Sequence, residues 1–592
     1  MTQIKKYTLT LIMSLFCLAC NDHFLERYPL DNISTETFFN TENDLIAYNN
    51  SLYNLARNDD NVPILMGHFE GFDSHWGSIW MQDEFTDNAA PRHDRHDQFQ
   101  RVRAGKQNVP DSPQRFGFKG WNFVRALNVG LDNYGKAAVT DAIRNKYMAE
   151  ARLFRGWFYA EKVEKFGDVQ WVDHELNIDS EELYASRTPR NEVMDHVLED
   201  LTFASQNLPD DWGDGNAPGR LNRWCALLVK SRVCLFEGTW RKYRNEAGAE
   251  TWLQEAADAA KELMDNGPYS LYSTGDPLND YNAFQQALDL SGNPEVMYWR
   301  KYKLGIFTNH VLNYFCSYVG GATKSMVEDY LCTDGLPIST SDLYKGDEVF
   351  TALFENRDPR LRQSVLHPDD AAKYRYYSGD GLEYPRIQGM PGGGNKSTTG
   401  YHIIKNYNAD DLIGKAYNTA EMPAIILRFA EALLNYAEAK AELGTLSQSD
   451  LDMSINLLRD RVGMPHLMLD NVPVDPRYAD DGISPLIVEI RRERRVELFM
   501  EGFRYNDLKR WKQGKKLEKK DYGMRWNEAA KAKFPEISIG VGVDPESGKE
   551  YLEIYKGTDY ENPVFDESKH YLWPIPLSAI SQNENIGQNP GW

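Results

Sequence analysis

Apolar positions along the chain fall into two blocks with helical period, and the stretches between and after them lack one. In the first block, apolar residues recur through runs of helical length at Tyr147 to Phe166, Asn191 to Asn207, Asn222 to Tyr243 and Thr251 to Asn266. In the second, Ile426, Ala430, Leu433, Ala437 and Ala441 repeat at a spacing of about 3.6 residues, and Gly444 ends the run. Start signals accompany these runs. Ser447 with Asp450 spells a capping box, Ser484-Pro485 is an N-cap followed by a first-turn proline, and Thr188-Pro189 has the same form. Long helices with alanine at contact positions predict stacked helical hairpins of the tetratricopeptide type, though without a clean repeat of about 34 residues.

Glycine and proline punctuate the rest, as in Met390-Pro391-Gly392-Gly393-Gly394. The expected fold is mainly α, with a helical scaffold at about 20–60, 119–267 and 420–515. Loop-rich insertions at about 61–118 and 268–419 interrupt it, and an irregular C-terminal part, 516–592, follows. Long insertions on a rigid scaffold are where binding surfaces concentrate.

At the N-terminus, Lys5 and Lys6 precede an apolar stretch, Tyr7 to Leu18, that is too short to span a bilayer. Leu18-Ala19-Cys20, followed by polar Asn21 and Asp22, resembles a bacterial lipoprotein cleavage site. Residues 1–19 are therefore expected to be a signal peptide and Cys20 the lipid-carrying first residue. Ordinary secretory cleavage nearby is the alternative. No later segment is a membrane-span candidate, since Ala424 to Leu443 carries Arg428, Glu431, Glu438, Lys440 and Glu442. The 592 residues hold 88 acidic and 66 basic side chains, a net charge of −22, and loss of Lys5 and Lys6 takes it to −24. That balance excludes a nucleic-acid partner, which needs a basic face. Cys225, Cys234, Cys316 and Cys332 form no Cys-x-x-Cys pair, so neither a zinc site nor a disulfide framework is expected.

Candidate chemistry is sparse. Arg92-His93-Asp94-Arg95-His96-Asp97 gathers histidines and carboxylates but lacks the His-Glu-x-x-His frame of a zinc helix, which leaves a solvated or ligand-contacting loop. Gly389 to Ser397 approaches a phosphate-binding loop, yet Asn395 stands where the motif needs glycine before Lys396. No metal, cofactor or catalytic group is expected. In the run Arg491 to Glu497, Glu489 lies three before Arg492 and Arg494 three before Glu497, which predicts ion pairs within one helix.

The aromatics carry more information: 26 Phe, 14 Trp and 33 Tyr. Phe72, Trp76 and Trp80 have the four-residue spacing of a buried helix face. Tyr298, Trp299, Tyr302, Phe307, Tyr314, Phe315, Tyr318 and Tyr330 fall in the central insertion instead, followed by Tyr374, Tyr376, Tyr377, Tyr384, Tyr401 and Tyr407. Rings with a polar tip, set in loops, can stack on the C–H face of a sugar while neighbours bond its hydroxyls.

Several segments together resemble the SusD/RagB family of surface glycan-binding lipoproteins. Phe24-Leu25-Glu26 with Pro29 looks like the family's start, and Ala149-Glu150-Ala151-Arg152, Phe154-Arg155-Gly156 and Phe166-Gly167-Asp168-Val169 its early helix and turn. Leu427 through Ala439 is similar to its best-known helix, followed by Ile455-Asn456 and Arg459-Asp460-Arg461. Glu493-Arg494, Glu497-Leu498, Glu501-Gly502 and Arg504 continue it, and Trp573-Pro574-Ile575-Pro576 with Gln588-Asn589-Pro590-Gly591 closes it. The resemblance implies four tetratricopeptide-like hairpins, a lipid anchor at the outer membrane and a SusC-like TonB-dependent transporter as partner. It implies oligosaccharide binding without cleavage, while a branch of the family handles peptides. The matched motifs are implied to be scaffold, with Arg428, Glu431, Glu493 and Arg494 holding helices together. By placement, the ligand surface comes from Asp87, Asn88, Arg92 and His93 and from Tyr302, Tyr314, Phe315 and Tyr318. Arg92 and His93 stand near where the starch-binding prototype has a stacking tryptophan, so starch itself is not implied. A peptide-capturing lipoprotein of the RagB kind and a helical-repeat interaction scaffold are the alternatives.

Overall fold

The computed structural model describes residues 38–56, 79–91, 97–113, 117–213, 219–309, 320–374, 385–388, 390, 396–409 and 419–592. Its N-terminal half is built from α1 (Glu42–Ala56), α2 (Trp121–Asn133), α3 (Asp141–Phe166), α4 (Arg190–Asn207), α5 (Arg223–Arg244) and α6 (Ala249–Asn266). α3 packs along α4 and α5 along α6, with α4 against α5, so the expected stacked helical hairpins are present. Local chemistry starts them. The Thr140 hydroxyl accepts from the Ile143 amide to open α3, and Asn222 caps α5 through the Cys225 amide. A Cβ on Gly238 of α5 would lie 2.9 Å from the Leu253 backbone nitrogen, so glycine sets how closely α5 approaches α6. Cys225 and Cys234 are buried in α5 as small apolar groups, and Cys332 is buried too.

The central insertion contributes strand β1 (Val296–Arg300) and the short helix α7 (Lys324–Asp329). After it come β2 (Ala424–Arg428), α8 (Phe429–Glu442), α9 (Ile455–Arg461), α10 (Pro485–Glu497) and α11 (Arg504–Arg510). The C-terminal part adds β3 (Tyr522–Arg525), β4 (Gly540–Val543) and β5 (Glu550–Glu553), paired antiparallel in the order β3-β5-β4. Alanine-rich α8 packs on both α6 and α10 and so joins the two halves. Among the described residues, no helix is long and apolar enough to cross a membrane.

Three local expectations change. Ile426 is not helical: it lies in β2, which pairs antiparallel with β1 through Trp299↔Ile425 and Arg300↔Ala424, and the helix begins only at Phe429. The β-branched pair Ile425-Ile426 favours the strand, and the helical spacing ran through it by coincidence. Thr188 is not a cap either. α4 starts at Arg190 with Pro189 as its N-cap residue, while the Thr188 hydroxyl accepts from the Trp171 amide across a bridge to Val169. Ser447 and Ser484 do cap, the former in a complete capping box with Asp450.

The third change concerns α10, in which every residue from Ile487 to Glu497 is buried. The Glu489–Arg492 pair forms within the helix at 3.0 Å. Arg494 instead meets Asp507 on α11 at 2.9 Å, and Glu497 meets Arg461 on α9 at 2.6 Å, Arg428 at 2.7 Å and Arg360 at 3.1 Å. A helix buried on all sides must satisfy its charges through neighbouring elements, because one pair along its own surface leaves the other donors unmet.

Gly238→Ala is expected to destabilise the fold by about 1–3 kcal/mol, since the clash is with backbone. Gly156→Ala on α3 meets only side-chain atoms of Leu201 and Asp200, at 3.1–3.2 Å, and is expected to stay within about 1 kcal/mol of the parent. Urea denaturation of both variants checks the contrast.

Candidate functional site

The segment implicated by sequence follows a short 3₁₀ turn, Ile79–Phe85, and is held from beneath by charge. Arg504 grips the Asp87 carboxylate with two hydrogen bonds of 2.8 Å. Arg495 donates to the Asn88 side-chain oxygen at 2.8 Å, to the Asp87 carbonyl at 2.9 Å and to Asp329 at 2.5 Å. The Asn88 amide then donates to Asp83 at 2.5 Å, and Asp83 also accepts from the Gly502 N–H at 2.9 Å. Burial pushes the Asp83 carboxyl up to about 6, with the Asn88 and Gly502 hydrogen bonds pulling the other way. Burial also acts upward at Asp87, but the Arg495 and Arg504 guanidiniums hold that carboxyl well below the usual carboxylate range. Asp87 and Asn88 are thus both buried, and their side chains hold the segment through Arg504, Arg495 and Asp83.

Immediately after them three distant stretches tie into one knot. The Thr323 N–H donates to the Asn88 carbonyl at 3.0 Å, Ala89 bridges Ala322, and the Ala90 N–H donates to Gly321 at 3.0 Å. Thr398 closes the knot, its hydroxyl donating to the Ala90 carbonyl at 2.7 Å and its N–H to Gly320 at 3.0 Å. Gly320 has φ +77°, and a Cβ there would fall 1.9 Å from the Ala90 oxygen, so only glycine permits this contact. Asn309, fully buried, pairs with Ala420 at 2.9 Å in both directions and roots the other end of the aromatic stretch. Arg92 and His93 follow directly after Pro91, and Tyr314, Phe315 and Tyr318 precede Gly320 in the chain. The structure therefore brings the bases of these segments together. Arg92, His93, Tyr314, Phe315 and Tyr318 themselves lie outside the described residues, as do Cys20, Phe72, Trp76, Cys316, Tyr376, Tyr377, Tyr384 and the loop Pro391 to Asn395.

Tyr302 is placed differently from its expectation. It is 2% exposed, its ring stacked on Phe307 with centroids 5.3 Å apart and the Arg300 guanidinium over both. Tyr298, Trp299, Tyr330, Tyr374, Tyr401 and Tyr407 are buried as well, so these loop aromatics fill interior rather than present platforms. The turn Lys303–Phe307 instead exposes Leu304 and Ile306, two residues that carried no sequence signal beyond being apolar. Sequence reasoning also missed a cleft of about 530 Å³ beside the anchor, because its wall is assembled from separate stretches around residues 87, 103, 324, 477, 504, 519 and 544.

Comparison with known proteins fits this architecture. A family model described as "SusD family" matches residues 284–592, and a second, described as "Starch-binding associating with outer membrane", matches residues 23–235. The chain belongs to the SusD family. It is 24% identical to SusD-like protein P2 of Formosa agariphila over 100% of both chains. It is also 24% identical to a SusD-like protein of Bacteroides ovatus, over 98% of this chain and 96% of that one. Among solved structures, a SusD-like carbohydrate binding protein from Bacteroides fragilis superposes with TM-score 0.70 at 22% identity, covering 93% of this chain and 100% of the other. A laminarin binding SusD-like protein gives TM-score 0.58 at 18% identity, covering 93% and 100%. These likenesses establish the helical, tetratricopeptide-like fold.

Removing the Asp87 charge leaves Arg495 and Arg504 buried without it, so Asp87→Asn is expected to destabilise by about 3–5 kcal/mol in urea denaturation. A loss below about 1 kcal/mol would contradict the anchoring role. His402, buried with Nε2 3.1 Å from the Arg386 carbonyl, is pushed down to about 3 by burial. The unfolded chain takes up that proton near pH 6.5, so the stability His402 lends is complete above pH 6.5 and is lost as the pH falls toward 3. Between pH 6 and 4 the parent should lose up to about 1.4 kcal/mol per pH unit more than His402→Gln, read from denaturation midpoints.

Proposed function

We propose that the chain captures neutral oligosaccharides at the segments rooted in the Ala90–Gly320–Thr398 knot and passes them, uncleaved, to a SusC-like TonB-dependent transporter. In this reading Cys20 carries the lipid that tethers the protein to the outer membrane, and Arg92, His93, Tyr314, Phe315 and Tyr318 supply the ligand contacts. Membership of the SusD family supports it, as do the carbohydrate-binding and laminarin-binding descriptions of structural neighbours. The observation that carries it is the knot itself: stretches some 230 and 300 residues apart converge through the hydrogen bonds of Ala90, Gly320, Gly321 and Thr398. A site built from several loops on a fixed base suits a long, hydroxyl-rich ligand, with aromatic faces for the sugar ring and Arg and His donors for its oxygens. The acidic excess of the chain favours neutral over polyanionic glycans.

Affinity electrophoresis through gels containing neutral polysaccharides tests this. The parent should be retarded by at least one of them, and the double variant Tyr314→Ala/Tyr318→Ala should lose most of that retardation while keeping its denaturation midpoint. Tight binding to peptides with no retardation by any glycan would replace the reading with peptide capture.

A further inference from the structure

The cleft of about 530 Å³ falls in the size range of small-molecule sites, and its lining is unusual for so acidic a chain. Eight lysines and arginines face eight carboxylates there, so the cleft is locally neutral in a protein of net charge −22. Asp87 and Arg504, both buried, and half-buried Tyr478 form its floor, while exposed Val543, Lys519 and Glu546 mark its mouth. The charges are matched pair by pair: Lys519 with Glu546 at 2.6 Å, Lys324 with Glu328 at 2.7 Å and Asp544 at 3.2 Å, and Arg103 with Asp521 at 2.9 Å.

Such a lining selects by charge. An anionic ligand would meet carboxylates already holding every cation, and a cationic one would meet the reverse; either must break an ion pair to enter. A hydroxyl group need not. It accepts from the ammonium or guanidinium of a pair while donating to the carboxylate of the same pair, and it brings no net charge. A ligand with many hydroxyls and no charge can therefore line the cleft with hydrogen bonds at each pair. From this we infer that the cleft between α7 and the β3-β5-β4 sheet is a second saccharide-binding site, separate from the loop-borne site and taking a short neutral oligosaccharide. This rests on the chain being a glycan-binding protein, and it adds a site that the loops do not supply.

Val543 and Pro545 are exposed and carry no charge, so Val543→Trp and Pro545→Trp each narrow the mouth while leaving the ion pairs of the lining in place. The full-length protein is titrated calorimetrically with maltohexaose, cellohexaose, laminarihexaose and mannohexaose. The expected result is two molecules bound per chain for at least one of them, falling to one in either tryptophan variant. Tyr314→Ala/Tyr318→Ala should remove the other molecule and leave the cleft occupied. A stoichiometry of one that neither tryptophan variant alters would overturn the cleft site while leaving glycan capture standing. Absence of binding to all four hexasaccharides, together with no retardation in any polysaccharide gel, would overturn glycan capture itself and the cleft with it.

Discussion

Between Arg491 and Glu497, α10 carries four arginines and two glutamates into the interior of the fold. Each such charge costs several kcal/mol to take out of water unless partners meet it with good geometry, and here the partners come from far along the chain. Arg495 reaches Asp87 and Asp329, Arg492 reaches Asp475 at 2.6 Å, and Glu493 takes Arg360 at 2.5 Å and Arg459 at 3.0 Å. Glu497 collects three arginines, of which Arg461 and Arg428 share Glu295 beside β1. Arg491 is met partly by Glu442 at 3.1 Å and partly by the face of Trp511, 4.2 Å from its guanidinium. These pairs tie α8, α9, α11, the β1–β2 pair and the segment before Ala90 to one buried helix. Removing one partner of such a pair leaves a buried charge unmet, so a shift of any of these elements away from α10 is costly.

That constraint links the scaffold to the segments proposed to capture the ligand. Asp87 lies between Arg495 and Arg504, Asn88 continues the same hydrogen-bonded chain to Asp83 and Gly502, and two residues later Ala90 enters the knot with Gly320, Gly321 and Thr398. Buried ion pairs of the scaffold thus fix the direction in which the segments after Ala90 and before Gly320 leave the fold. A loop-borne site needs such a base, because a ligand that must also order its own receptor loses affinity to the entropy of ordering.

Parts of this were legible in the sequence and parts were not, for physical reasons. Ser447, Asp450 and Ser484 declare their helix starts because capping is local, and the alanines of α8 declare a packed face because period is local. The charge run of α10 announced ion pairing, yet a helix surface offers only neighbours three and four positions away, whereas Arg494 and Glu497 found theirs on other elements. The loop tyrosines misled most. Irregular, glycine-rich sequence usually lies at the surface, but Tyr302, Tyr330, Tyr401 and Tyr407 are folded inward by long-range bridges such as Ala89↔Ala322 and Val365↔Ile403, which have no periodicity to betray them. The bonds of Asp87 and Asn88 were not legible at all, since sequence does not show that two arginines more than 400 residues later point at them.

The dissociation constant of Arg504→Lys for a glycan that the parent binds, measured well below the melting temperature of the variant, tests the link between network and capture most directly. Lysine keeps the buried charge but cannot reproduce the two parallel bonds to Asp87. If the network sets the course of the binding segments, affinity falls by about tenfold although the protein stays folded, about 1.4 kcal/mol of lost binding. An unchanged dissociation constant beside a lowered melting temperature would show that the Asp87 anchor serves stability alone.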